Sequence, residues 1–484
     1  MSSRAAATER IVQGPLGREL LRFGTPLAIG MGLQTAFNLL DAYLIGHLEA
    51  GVAGPALGAI GICDQLAALG SIISYGLTVA SCALVSQHQG ARNDAQVARV
   101  TQQSILLILA LSVAFGALGT AFARPLVEGA VGAKGRVVEL SVPYLRVMMG
   151  GSFSIFLLLH ATSVLRALGS SKTPVTLLVL ANALNVLLAV VMIFGPGPTP
   201  ALLSFGPPIA RWLGIPRMGL MGAAWATLIA RTVMLVPLGL ILYKRLPRNQ
   251  PRFSFRFDFG ALREIFALGW ASSAQLVVRI LAMLFTHALV ARSFTTDADQ
   301  TATTALGVVF RLETMALFVG LGWGSAAQTF VGQNLGAGHF QRAKHSGWYA
   351  ALFNAAMMAG LTLLYLKYGD FIVRLFTDEP EVVRVAHEYL WWVSPSYVAL
   401  GVGVALGSAI QGAGATRRAL FLDGSVVVLF QLPVCLFAVA RADGSPIGLW
   451  QSVAATYAAL ALVHVISYWR SNFVADAPKS VLTS

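Results

Sequence analysis

Twelve apolar stretches of about twenty residues or more run through this chain, each long enough to cross the hydrocarbon core of a bilayer as a helix. They fall at 23–45, 54–86, 102–122, 142–165, 175–194, 219–243, 265–291, 302–331, 347–366, 386–410, 419–439 and 446–469. The second and eighth exceed the bilayer thickness and should continue as helix beyond it. No soluble core absorbs this much apolar sequence. Of the 484 residues, 56% are hydrophobic and 11% charged, against about 25% charged in a soluble domain. The 48 glycines and 20 prolines would weaken soluble helices but are better tolerated inside a membrane.

The net charge of +13 is not a nucleic-acid signature, because the basic residues sit in short clusters between the spans. Placing the N-terminus inside puts most of them in cytoplasmic segments: Arg4 to Arg22, Arg92 and Arg99, Arg166 and Lys172, six between 244 and 264, then Arg342, Lys344, Arg417, Arg418, Arg470 and Lys479. That bias predicts both termini in the cytoplasm and an even number of spans. Met1 to Gly17 is polar, without the apolar region of a signal peptide, and reads as a tail leading into the first span. Cys63, Cys82 and Cys435 all lie in apolar spans and read as small hydrophobes.

The halves repeat. Phe23-Gly24-Thr25-Pro26 aligns with Leu268-Gly269-Trp270-Ala271, and Gln87-His88-Gln89-Gly90-Ala91 with Gln333-Asn334-Leu335-Gly336-Ala337. Ala167-Leu168-Gly169 aligns with Gly412-Ala413-Gly414, and all three matches share a shift of about 245 residues. The expected fold is an all-α membrane protein with twelve transmembrane helices in two pseudo-symmetric six-helix lobes around a central cavity. Its parts would be a tail (1–22), an N-lobe (23–243), a basic cytoplasmic linker (244–264), a C-lobe (265–470) and a second tail (471–484). An even number of spans per half relates the lobes by an axis along the membrane normal, a geometry suited to alternating access.

The same segments carry a family resemblance. From about residue 20 to 470 the chain resembles the multidrug and toxic compound extrusion (MATE) transporters. The resemblance rests on Thr25-Pro26 to Asp41 with Gly46, Val85 to Ala91, Leu165 to Gly169 with Lys172-Thr173-Pro174, and Asn185 ahead of Ile193-Phe194-Gly195. Val331-Gly332-Gln333-Asn334-Leu335-Gly336-Ala337-Gly338 and Gln411-Gly412-Ala413-Gly414 complete it. The resemblance implies an antiporter that exports small organic, often cationic compounds against an inward flow of H⁺ or Na⁺. Residue physics alone reaches only a two-lobe transporter.

Polar residues inside spans are costly and mark candidate sites. A carboxylate at Asp41, deep in span one, could take up and release a coupling proton. Alternatively, it could sit near the helix end and reach outer-side water, since Gly46 and His47 follow closely. The resemblance makes this Asp a proton or cation site. Asn38 shares its helix face, and Asn185 and Thr227 match family positions that hydrogen-bond it. All three could instead form ordinary interhelical hydrogen bonds. Pro26 can bend span one, either as a static kink or, as the resemblance implies, in step with Asp protonation. Where family members often carry a second acid, this chain has Ala189, which suits H⁺ over Na⁺ as the coupling ion.

The second half departs further. A cation-binding Glu of some family members aligns with Arg279, and no acid lies between Ser394 and Gln411. Buried charges pair, so Arg279, Arg311, Glu313 and Asp423 are expected to form a bridge, Arg279–Glu313 or Arg311–Glu313, serving structure, substrate or coupling. The cavity lining should be amphipathic. Met31, Gln34, Phe37 and Tyr43 of span one, Asp64 of span two, Phe153 and Phe156 of span four, and Arg279 and Glu313 are the candidates. Aromatic faces attract organic cations, although aromatics in spans also simply pack.

There is no phosphate-binding glycine loop for an ATP-driven pump, no H-E-x-x-H and no Asp-rich motif for an intramembrane enzyme. The histidines lack metal-ligand spacing, and no cofactor is expected. A flippase of lipid-linked precursors from the same superfamily is the alternative, with Arg279 supplying a more cationic cavity. The expected partners are small organic substrates and the lipid bilayer, with no nucleic acid. A monomer in the plasma membrane is expected, the inner membrane in a Gram-negative cell.

Overall fold

The computed structural model describes residues 3–48, 53–200, 203–247, 255–296 and 299–471. Helix α1 (Ser3–Gln13) precedes the long α2 (Leu16–Gly46), α3 (Ala53–Gly90) and α4 (Asp94–Ala121). A three-residue turn, α5 (Ala123–Pro125), leads to α6 (Arg136–Gly150) and α7 (Ser152–Ala167), which form one span bent by 44° at Gly151. The first half closes with α8 (Lys172–Phe194), the short α9 (Gly206–Leu213) and α10 (Leu220–Arg245).

The second half repeats this plan. It runs through α11 (Phe259–Ser293), α12 (Thr301–Gly336), α13 (Phe340–Arg374), then α14 (Pro380–Val393) continued by α15 (Tyr397–Gly412). The next span joins α16 (Thr416–Val426) to α17 (Leu432–Ala440), and α18 (Ile447–Trp469) is the last. Each expected span has its helix. Ten segments and the bent α6–α7 pair are long and apolar enough to cross a bilayer. The twelfth, α2, spans 31 residues, or about 46 Å, and is made less apolar by Gln34, Asn38 and Asp41. The long spans two and eight are the 38-residue α3 and 36-residue α12.

Within the first lobe, α8 packs against α2 and α10, while α3 packs against α4, α6 and α7. In the second lobe α13, α14 and α15 pack against α12, and α18 packs against α15 and α14, with a core containing Trp323, Tyr365, Tyr389, Tyr397 and Trp450. The lobes meet where α2 and α3 face α12, and where α3 faces α11.

Backbone detail confirms the duplication. Gly169 and Gly414, paired by the repeat, both turn the chain with left-handed φ, +85° and +86°. Gly338 (+76°) has Arg92 as its counterpart, and Arg92, at +57°, is the one non-glycine with positive φ among the described residues.

The polar N-terminal segment is more than a tail. Arg4, Ala7, Thr8, Ile11 and Val12 recur at helical spacing and are buried. Arg4 forms an ion pair with Asp94 (2.6 Å), and Gln89 Nε2 donates to Thr8 (2.7 Å), both contacts to the first lobe. From the second lobe, Arg342 donates to the carbonyls of Ile11 (3.1 Å) and Gly14. Helix α1 therefore straddles the seam between lobes. Lys344, at the start of α13, donates to the carbonyl of Trp469 (2.7 Å), so both ends of the described chain lie on one side, called here the terminal side. On that side Arg99 clamps Asp258, the N-cap of α11, with two hydrogen bonds of 2.6 and 2.9 Å. The Arg99 guanidinium holds the Asp258 carboxyl down to about 2.

Candidate transport site

The two lobes are sealed together at their terminal ends. Residues 79–90 of α3 and 326–335 of α12 are buried throughout. Gln87 Nε2 donates across the seam to the carbonyl of Gly412 (3.0 Å), and Gln333 Nε2 donates to that of Ala167 (2.7 Å). These bonds are images of one another under the internal repeat. Gly90 lies against the Gln333 backbone, and Gly336 lies against that of Gln87, so closely that a Cβ at either glycine would collide with a carbonyl group. The sequence marks these residues as repeat landmarks; their role as a seal becomes visible only once the lobes are docked.

Away from the seal the environment changes. Asp64 and Gln65 on α3 and Arg311 on α12 are exposed within their spans. Charged groups at such depth face a water-accessible space rather than lipid.

In the first lobe, the side chains of Asn38 and Asp41 lie outside the described residues, and α2 runs unbroken through Pro26. Asn185 on α8 and Thr227 on α10 are brought together, with Thr227 Oγ1 donating to Asn185 Oδ1 at 3.0 Å. Both are buried. Met31, Gln34, Phe37 and Phe153 are partly buried, and Tyr43, 45% exposed, lies against the His47 ring. Phe156 does not fit the expected cavity lining. It is 2% exposed and packs against Phe115 inside the first lobe, where α7 lies against α4.

The second lobe corrects the expected ion pairing. Arg279 pairs with Asp423 (2.6 Å), not with Glu313. The reason is helix adjacency: α11 packs directly on α16, which carries Asp423. Asp423 is 1% exposed and also accepts from Gln275 Nε2 at 2.8 Å, while Gln275 Oε1 accepts from Gln411 at 2.6 Å. His464 Nε2 stands 3.3 Å from Asp423 Oδ1 without hydrogen-bond alignment. Arg279 is thereby paired with a buried acid, so it does not supply the unpaired cation on which the flippase alternative drew.

Glu313 has different partners. The hydroxyls of Tyr389 on α14 and Tyr457 on α18 both donate to its carboxylate. Tyr397 sits beside Tyr457 with ring centroids 6.5 Å apart, and its own buried hydroxyl has no hydrogen-bond partner among the described residues. Arg311, the other expected partner of Glu313, points away and lies over the Phe376 ring at 5.7 Å. On one helix, positions two residues apart face different directions. At the positions that match Asp41 and Asn185 under the repeat the second lobe is neutral, with Gln431 Nε2 donating to Thr286 Oγ1 at 3.4 Å.

The arrangement is therefore a two-lobe membrane protein sealed at one end, with acids and aromatic rings deep in its helices. Comparison with known proteins agrees. The MatE family model matches residues 26–191 and 276–437. A probable multidrug resistance protein, YpnP, of Bacillus subtilis is 26% identical over 414 residues, covering 85% of this chain and 86% of its own. A FAD transporter of Shewanella oneidensis is 26% identical over 430 residues, 88% of each chain. Among solved structures, a MOP superfamily transporter from Pyrococcus furiosus superposes with a TM-score of 0.83 at 21% identity, covering 95% of this chain and 96% of that one. A MATE protein in complex with MaL6 gives 0.83 at 20% identity, with both chains covered in full. The matched segments fall in both halves and take in most of the spans, and the chain belongs to the MatE family, the multidrug and toxic compound extrusion transporters.

Proposed function

We propose that this protein is a secondary active exporter of small organic, amphipathic and often cationic compounds, exchanged for protons by alternating access. The observation that carries the reading is the seam. It is closed by paired bonds at the terminal end, while Asp64, Gln65 and Arg311 are exposed within the spans beyond it. Rocking the lobes about α2, α3, α11 and α12 would break the seal and expose the cavity to the other side. The basic connecting segments support a cytoplasmic terminal side, and in that orientation the sealed state opens outward from the plasma membrane. The Bacillus subtilis relative, named for multidrug resistance, supports organic compounds as cargo.

The acids present support proton over sodium coupling. Asp41 of α2 has Ala189 where a second carboxylate would complete a cation shell. In the second lobe, Arg279 occupies the place of a cation-binding acid and is bound to Asp423. Protonation of Asp41 in the first lobe would couple ion entry to movement of α2, with Pro26 as the bend. Nothing in this cycle calls for a cofactor or a second copy of the chain.

The test uses everted membrane vesicles and ethidium as cargo, with FAD as competitor because the Shewanella oneidensis relative is a FAD transporter. An acid-interior gradient should drive ethidium accumulation in sodium-free buffer, and a protonophore should abolish it. Accumulation that needs a sodium gradient, or that survives the protonophore, would overturn proton coupling.

A further inference from the structure

A cavity of about 260 Å³ lies under α1 on the terminal side, away from the transport site. Four cations line it: Arg10 from α1, Arg22 from α2, Lys172 from the start of α8 and Arg245 from the end of α10. Glu19 is the only carboxylate in the lining. Among the described residues none of the four cations makes an ion pair, although elsewhere on this side Arg4 and Arg99 are each bound to an aspartate. Four separate elements thus bring four positive charges against one negative to a hollow at the protein surface, a net repulsion that a further anion would relieve.

Two further features point the same way. Ser171 is 8% exposed, lines the cavity, and its side chain makes no hydrogen bond among the described residues. It is also the N-cap of the 23-residue α8, yet its side chain does not cap that helix. No side chain takes the backbone N–H groups of Lys172 and Thr173 in the first turn of α8, where Pro174 has none to offer, and the helix dipole favours negative charge there. The volume lies slightly below the roughly 300 Å³ at which drug-sized pockets begin, the scale of a phosphate group with a small polar substituent. Tyr243, 77% exposed and two residues before Arg245, is of the type that sits at the lipid headgroup level.

We infer that this cavity, formed by Arg10, Arg22, Lys172, Arg245 and the α8 N-terminus, binds a phosphate-bearing anion, either a lipid headgroup or a free phosphate. Lining residues come from α1, from the first lobe and, through Phe330, from the second. An occupant would therefore bridge α1 to the closed seam.

The experiment measures thermal unfolding of the full-length protein in detergent, titrated with inorganic phosphate or with mixed micelles of dioleoylphosphatidylglycerol. Chloride at matched ionic strength and dioleoylphosphatidylcholine are the controls. A saturable rise in Tm with phosphatidylglycerol alone assigns a lipid headgroup; a rise with phosphate as well assigns the phosphate group itself. The double variant Arg22→Gln, Lys172→Gln should weaken the effect about thirtyfold, as expected for two cations near a membrane surface. The charge-matched pair Arg263→Gln, Arg470→Gln on the same side should leave it intact. Arg10→Gln, on a separate helix, is a second variant should the first fold poorly. No rise with either probe, or equal losses in the two double variants, would overturn the site.

Discussion

At the scale of single residues, the most informative departure from expectation is the partner of Arg279. The sequence shows four charges in the second half and predicts that they pair, but the pairing depends on which spans are neighbours. Asp423 takes Arg279 because α16 lies against α11, and Glu313 is left to the hydroxyls of Tyr389 and Tyr457. No periodicity or spacing singles out those tyrosines, since aromatic residues recur along many spans. Removing one member of a buried pair leaves the other charge uncompensated, a loss of about 3–5 kcal/mol. Asp423→Asn should fall near the low end, about 3 kcal/mol, because the Arg279 side chain keeps 27% of its exposure. Replacing both, as Arg279→Met with Asp423→Leu, should recover most of the loss. Thermal unfolding of the single and double variants in detergent checks this; an Asp423→Asn variant as stable as the parent would refute the pairing.

At the scale of helices, the spans were legible from apolar length, and the duplication from short glycine-rich matches. What those matches do was not legible, because it depends on contacts between halves. Gln87 and Gln333 seal the seam with mirrored bonds, and Gly90 and Gly336 let the backbones approach. In the sequence helix α1 reads as a tail, because only five of its described residues face inward, too few for a long apolar signal. A methyl group at Gly90 or Gly336 meets a backbone carbonyl that cannot swing aside, and overpacking of this kind costs about 1–3 kcal/mol. Because the clash exists only when the seam is closed, Gly90→Ala should shift the population toward the open terminal side, by about five- to 150-fold. Spin labels at Arg92→Cys and His339→Cys, on opposite lobes, would report it as a longer distance. An unchanged distance distribution would show that the glycine is not part of the seal. The three native cysteines are buried, which keeps labelling specific.

At the scale of the whole molecule, one scaffold is used twice with different chemistry. The halves share turns, seal residues and packing, but the first carries Asp41 where the second carries Thr286. The second instead holds the Arg279–Asp423 pair and the tyrosine-bound Glu313. This asymmetry leads to the claim that proton movement is coupled to export through the first lobe. The direct measurement is proton counterflow. Purified protein is reconstituted in sodium-free liposomes containing a trapped pH indicator, and ethidium is added outside. The account predicts that ethidium entry drives protons out and raises internal pH, and that Asp41→Asn, correctly folded, gives no such change. Ethidium entry without a pH change, or counterflow that persists in Asp41→Asn, would contradict it.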